Sequence, residues 1–240
     1  ETQMRIIGYF TRINYNYLQK YLLSFNLRYD GASNLGNKKW GFFPGISAGW
    51  NVHNEPFWAD IKNTMSQFKL RASYGVNGNI GALGPYDAQG QYSVGQRYAG
   101  SAAIMNNTLA NPELTWEESK TLNFGADMGF LNGRLNLMVD VYRRVTDNLL
   151  TSMSLPHSTG FASILTNLGS LENKGVELEL TARVLPDNSP LRWDISLNSA
   201  KVKNKILSLP SNGVEFNRIG GDYVYVPSKG DYAWVGGLQE

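Results

Sequence analysis

The sequence contains no cysteine, which excludes disulfides and thiolate metal sites. It has only two histidines, His53 and His157. Neither HxH nor HxxxH spacing brings them together, and both fall in expected connections, so they are read as surface histidines and not as metal ligands. Charge of one sign is not in excess either. The net charge of +2 is too close to balance for a nucleic-acid partner. No apolar run reaches the roughly 18 residues of a membrane-spanning helix, and no signal-peptide pattern is visible. A missing helical span does not exclude a membrane protein, because barrel strands alternate and their hydropathy averages out. There is no G-x-S-x-G nucleophile elbow. Gly75, Gly78, Gly81 and Gly84 recur at every third position. That misses GxGxxG, and no helical pattern follows to receive a phosphate. No catalytic site and no cofactor are expected. The first residue is Glu1, not Met, which suggests a piece of a longer protein.

What is present is alternation with a period of two. One face of 21–30 reads Tyr21, Leu23, Phe25, Leu27, Tyr29, and the other reads Leu22, Ser24, Asn26, Arg28, Asp30. Further on, Leu122, Phe124, Ala126, Met128 and Phe130 alternate with Asn123, Gly125, Asp127 and Gly129. Leu135, Leu137, Val139 and Val141 alternate with Asn136, Met138, Asp140 and Tyr142. Val176, Leu178, Leu180 and Ala182 alternate with Glu177, Glu179, Thr181 and Arg183. The pattern predicts strands over 4–17, 21–30, 40–52, 67–77, 115–131, 133–148, 174–185 and 191–206. Many are far longer than the roughly 5–6 residues of soluble strands. They suit a tilted membrane-spanning strand of about 9–11 residues.

The connections point the same way. Leu18-Gln19-Lys20, Asn132-Gly133 and Pro186–Pro190 are tight. Asn-Gly between alternating runs predicts a type I′ hairpin. The stretches 31–39, 78–114 and 149–173 are long and polar or Gly-rich, and 53–66 is intermediate, with room for a short helical turn. Tight turns follow the first, fifth and seventh strands; long loops follow the second, fourth and sixth. Outer-membrane barrels sort their turns this way, short on the periplasmic side and long outside. A polar second face then requires a wide lumen, because small closed barrels pack their interiors. The apolar face must look into lipid, where closure satisfies the backbone. Tyr21, Tyr29, Trp40, Trp50, Tyr74, Trp116, Phe130, Tyr142 and Trp193 are expected to form aromatic girdles. The rival architecture is a secreted or surface all-β sandwich that binds carbohydrate or protein.

Other candidates have bland readings. Glu177 and Glu179 share a face, but as lumen charges and not as a glycosidase pair. Glu117 and Glu118 point to opposite faces. Asn106-Asn107-Thr108 fits a sequon that is common by chance. Loop 78–114 is long enough to suggest a role in ligand or lid contact. In it Tyr86, Tyr92 and Tyr98 recur every six residues. Their functional reading is stacking on sugar, and the alternative is packing the loop onto its neighbours. No substrate-binding residue is assigned.

Six segments resemble the SusC/RagA-like family of TonB-linked outer-membrane transporters. They are Arg12–Asp30 with the following Gly-Ala-Ser, Trp40–Trp50, Phe68–Asn79, Asn111–Asp127, Ser158–Leu180 and Trp193–Lys205. They occur in the family's order, while Pro210–Glu240 matches less distinctly. The resemblance implies an all-β antiparallel transmembrane barrel of about 22 strands with a plugged lumen. It also implies an N-terminal plug with a TonB box for the energy-coupling complex, a SusD-like lipoprotein lid, and oligosaccharide or peptide cargo. Residues 1–240 are then expected to be part of the barrel domain in the outer membrane of a Gram-negative bacterium. Plug, TonB box and the remaining strands are not found in this sequence.

Overall fold

The computed structural model describes residues 3–186, 189–209, 222–226 and 231–235. Eight long strands form one antiparallel sheet: β1 Ile6–Tyr17, β2 Tyr21–Ala32, β3 Trp40–Asn51, β4 Met65–Asn79, β7 Glu117–Phe130, β8 Leu135–Asp147, β11 Ser170–Arg183 and β12 Asp194–Ser208. Each pairs with the next in that order, and all eight sit on the eight predicted runs. Three further hairpins stand apart from the wall: β5 Gln91–Tyr98 with β6 Ser101–Thr108, β9 Leu150–Ser154 with β10 Ser163–Asn167, and β13 Asp222–Val226 with β14 Asp231–Val235. Loops 78–114 and 149–173 are therefore not irregular throughout, since each holds a hairpin. Strand β11 also begins four residues earlier than expected.

The tight turns lie at one end. Leu18 and Gln19 both take positive φ, and the Asn16 side chain caps the turn by accepting from the Gln19 N–H at 3.0 Å. At the other predicted hairpin the turn is wider than a two-residue type I′. Leu131, Asn132 and Gly133 all have positive φ, and the closing pair is Phe130 with Leu135. The turn over Pro186–Pro190 lies partly outside the described residues. The β3–β4 connection joins this end with two 3-10 turns, Val52–Asn54 and Pro56–Trp58. Between them Glu55 accepts from Lys20 Nζ at 2.9 Å, from the Tyr21 hydroxyl at 2.8 Å and from the Trp50 indole at 3.1 Å. These partners, Lys20 foremost, hold its carboxyl below the usual range.

The outer face is apolar and open, and its register carries a geometric signature. Val176 on β11 lies in one row with Val141, Phe124, Ala72, Ala48 and Leu23. Val176 is the last apolar outward residue before Lys174 on its strand. On β2 the apolar face continues six residues past Leu23, to Tyr29. The upper limit of the apolar band thus drops six residues over five strand steps. A level membrane crossing strands tilted by ~40° and spaced ~4.8 Å demands a drop of a little over one residue per step. The oblique band is what tilted strands in a flat lipid layer require. Aromatic stacks mark its edges on the first three strands. Trp40 stacks on Tyr29 and Tyr9 at 4.9 and 6.3 Å, while Tyr17, Tyr21 and Trp50 stack at the turn end at 6.5 and 6.4 Å.

Two aromatics leave the predicted girdles. Tyr142 faces inward and lies over Gly175, where a Cβ would come within 2.5 Å of its ring. Trp116 is buried among the long loops, donating its indole N–H to the Lys39 carbonyl at 3.1 Å. There it joins a compact core of Leu35, Phe43, Ile80, Leu83 and Leu114. Asparagines knit this cap together. Asn111 donates to the Leu165 carbonyl at 2.9 Å, and Asn167 exchanges two hydrogen bonds with the Thr115 backbone.

Candidate functional site: the polar inner face and its loop cap

The inner face is built from the alternate residues of the same strands. One row reads Asn14, Ser24, Ser47, Ser73 and Asn123. These five side chains are short and polar and able to hydrogen-bond, and the row runs on into Tyr142 and Gly175. The row below brings Arg71, Gly125, Asp140 and Glu177 side by side on β4, β7, β8 and β11. The Arg71 guanidinium donates from Nε to both Asp127 oxygens at 3.0 and 3.1 Å, and from Nη2 to Asp140 at 3.0 Å. It bridges three strands across Gly125, where any added side chain would push the bridging groups aside. A Cβ on Gly125 would lie 2.6 Å from Asp140 Oδ1 and 2.7 Å from Arg71 Nη2. Beside this network lies an open groove of about 420 Å3, lined by Ser47, Gly49, Lys69, Arg71, Ser73 and Asn123.

The predicted candidates fall as follows. Glu177 and Glu179 are exposed on the inner face, opposite Ala200 and Asn198. Glu117 accepts from Asn79 and from the Leu150 backbone, whereas Glu118 lies 3.9 Å from Lys120. His53 is tied to the Phe68 backbone, its Nδ1 2.9 Å from the Phe68 carbonyl. His157 opens a short 3-10 turn, His157–Thr159, in the β9–β10 connection. Among the described residues no group of three or more His, Asp or Glu is placed to hold a metal. Asn106, Asn107 and Thr108 end strand β6. Tyr92 and Tyr98 stand 69% and 81% exposed on the β5–β6 hairpin, so they do not pack the loop down. Tyr86, half exposed, lies outside that hairpin.

The Arg71 network was not foreseen. Its β7–β8 half follows from the hairpin register, which sets Gly125 against Asp140. The β4–β7 half depends on how a long loop closes, and no local pattern carries that information. The chemistry on offer is binding: a polar, charged surface with hydrogen-bonding groups.

The beta-barrel model of the TonB dependent receptor-like family matches residues 2–237. The chain belongs to that family. It is 36% identical over 219 residues to the TonB-dependent receptor SusC of Bacteroides thetaiotaomicron, covering 87% of this chain and 21% of SusC. It is also 36% identical to the TonB-dependent receptor P3 of Formosa agariphila, with the same coverage. The receptor segment thus spans about a fifth of the length of these curated relatives. Among solved structures it superposes on the RagAB peptide transporter with a TM-score of 0.80 at 26% identity, covering 96% of this chain and 27% of that one. The outer-membrane receptor FauA from Bordetella pertussis, 18% identical with a TM-score of 0.55, shares the fold.

Family membership places the segment in the outer membrane of a Gram-negative bacterium. The sandwich alternative falls with it. A sandwich buries one face of each sheet, whereas Ile13, Ile46, Phe124, Val141 and Val176 are all exposed on the outer face.

Proposed function

We propose that this segment is the wall of a TonB-dependent importer that takes up oligosaccharides or peptides beneath a SusD-like lipoprotein lid. The observation that carries the reading is the family match over nearly the whole chain, joined to a lumen face on which polar side chains predominate. Residues 1–240 act as one stretch of a single barrel domain, with a plug and further strands supplied elsewhere in the protein. The wall's task is passive. It stays rigid while a plug moves under TonB, and its short polar rows let hydrated cargo pass. Oligosaccharide is favoured by likeness to SusC, and peptide by likeness to RagAB. The cap and its projecting β5–β6 hairpin, with Tyr92, Val94, Tyr98 and Ile104 bare, supply apolar surface for a lid.

The test is uptake by cells carrying the full-length receptor, with labelled glucan oligomers and labelled mixed peptides offered side by side. One class is expected to enter only when TonB is present, and removal of residues 91–108 is expected to reduce uptake and lid co-purification together. Entry that is independent of TonB, or of neither class, contradicts the proposal.

A further inference from the structure

The outer face of the wall changes character from one side to the other. The row that begins with Ile13, Phe25, Ile46, Tyr74 and Leu122 continues without a break into Arg143, Lys174 and Lys203. Three cations therefore sit directly opposite one another on β8, β11 and β12. Like charges in cross-strand register repel at such spacing. Lys201, one outward position lower beside Val176, adds a fourth. A single carboxylate answers them: Glu172, 5% exposed, pairs with Arg143 and, at 2.8 Å, with Lys174. Lys201 and Lys203 lie on β12, the last strand of the sheet, and among the described residues neither has a carboxylate partner. Four cations against one carboxylate leave the patch strongly positive.

Its place in the fold says what it faces. The patch rims the upper edge of the apolar band, on the long-loop side, which in these barrels is the outer surface. Directly beneath it an outward groove of about 410 Å3 opens between β7 and β12. Its floor is Leu122, Phe124, Val141 and Val176, and its rim is the cations themselves. That volume lies within the ~300–1,000 Å3 of small-molecule sites. A water-facing cluster would need no apolar floor, and a plain lipid-facing wall would carry no lysine row.

We infer that this groove holds one phosphorylated lipid of the outer leaflet, its phosphate on Arg143, Lys174, Lys201 and Lys203 and an acyl chain along the floor. The phosphate relieves the cation row with charge-assisted hydrogen bonds, and the chain fills a groove already matched to hydrocarbon. The bound lipid becomes part of the wall's outer surface, next to β12.

The test uses the full-length receptor in detergent, titrated with lipid A bearing one phosphate and with the same lipid stripped of phosphate. The phosphorylated form is expected to bind at least about tenfold tighter, to survive excess inorganic phosphate, and to lose that advantage in a Lys174→Gln, Lys203→Gln double variant. A Lys174→Arg, Lys203→Arg variant is expected to keep it. If the glutamine variant does not fold, the two lipids on the wild-type protein still decide. Equal binding of both lipids, full displacement by inorganic phosphate, or undiminished binding by a folded glutamine variant overturns the inference.

Discussion

In the loop cap Leu35 and Leu114 are completely buried, and Trp116 nearly so. In the wall Ile13, Phe124 and Val141 are about half exposed or more. Both regions are rich in apolar residues, and they use them differently. The cap is surrounded by water and gathers its leucines and aromatics into a small core, as any soluble fold does. The wall turns its apolar residues out to lipid and keeps its polar residues for the lumen. The difference teaches that exposure alone does not mark a misplaced residue; the solvent on that side must be named first.

The comparison can be broken at several points. The largest effect is expected in the cap. Leu114→Ala should cost about 2–5 kcal/mol of local stability, as other large-to-small core changes do. Proteolysis within 78–114 and hydrogen exchange in 31–39 should rise, while the thermal transition of the barrel stays in place. A barrel that melts with the cap would show that the two regions are one unit.

Leu178→Arg tests the wall from its lipid side. A cation in the apolar band should destabilise the barrel by about 2–4 kcal/mol, whereas Glu177→Arg, one residue away on the lumen face, should be nearly neutral. Equal effects would erase the distinction between the faces. Arg71→Met probes the lumen network and leaves Asp127 and Asp140 without their shared cation. Breaking a fully buried pair costs about 3–5 kcal/mol, but Arg71 is 31% exposed, so about 1–2 kcal/mol is expected after solvent screening. Thermal melting of the full-length barrel reads this change.

The smallest effect concerns the turn end. Glu55 is held below the ordinary carboxylate value near 4.5, first by the Lys20 hydrogen bond and then by Tyr21 and Trp50. A depressed carboxylate contributes in full above its unfolded value and loses that contribution as pH falls through the lowered folded value. Protection of 51–58 against hydrogen exchange, taken relative to the intrinsic rate at each pH, should therefore be high at neutral pH and fall only in distinctly acid solution. Glu55→Gln should flatten that profile, and an unchanged profile would remove Glu55 from the account.

The two regions also differed in how far they could be read from the sequence. The wall was legible because each strand writes its faces into alternate residues, and all eight long strands followed. Loop parity was legible too, because turn chemistry is local. The cap was not. Its core joins Leu35, Leu83 and Leu114 from separate loops, and no periodicity links them. Trp116 looked like a girdle residue because it stands near the start of the expected strand 115–131, yet the cap captured it. The β5–β6 hairpin hid in a Gly-rich stretch with irregular register. In the candidate site the polar character of the lumen face was visible, but the Arg71 bridge needed the β4–β7 register. The cation row was present in the sequence as Arg143, Lys174 and Lys203, and only the cross-strand alignment made it a row.

The claim on which the rest depends is that the apolar face of this wall meets lipid. Spin labels placed at Leu137 and Leu178 of the full-length receptor in bilayers should respond strongly to a lipid-borne quencher. Labels at Asn136 and Glu177 should respond to a water-soluble one or be shielded by the plug. The reverse pattern would contradict the face assignment, and with it the reading of the wall, the lumen and the lipid groove.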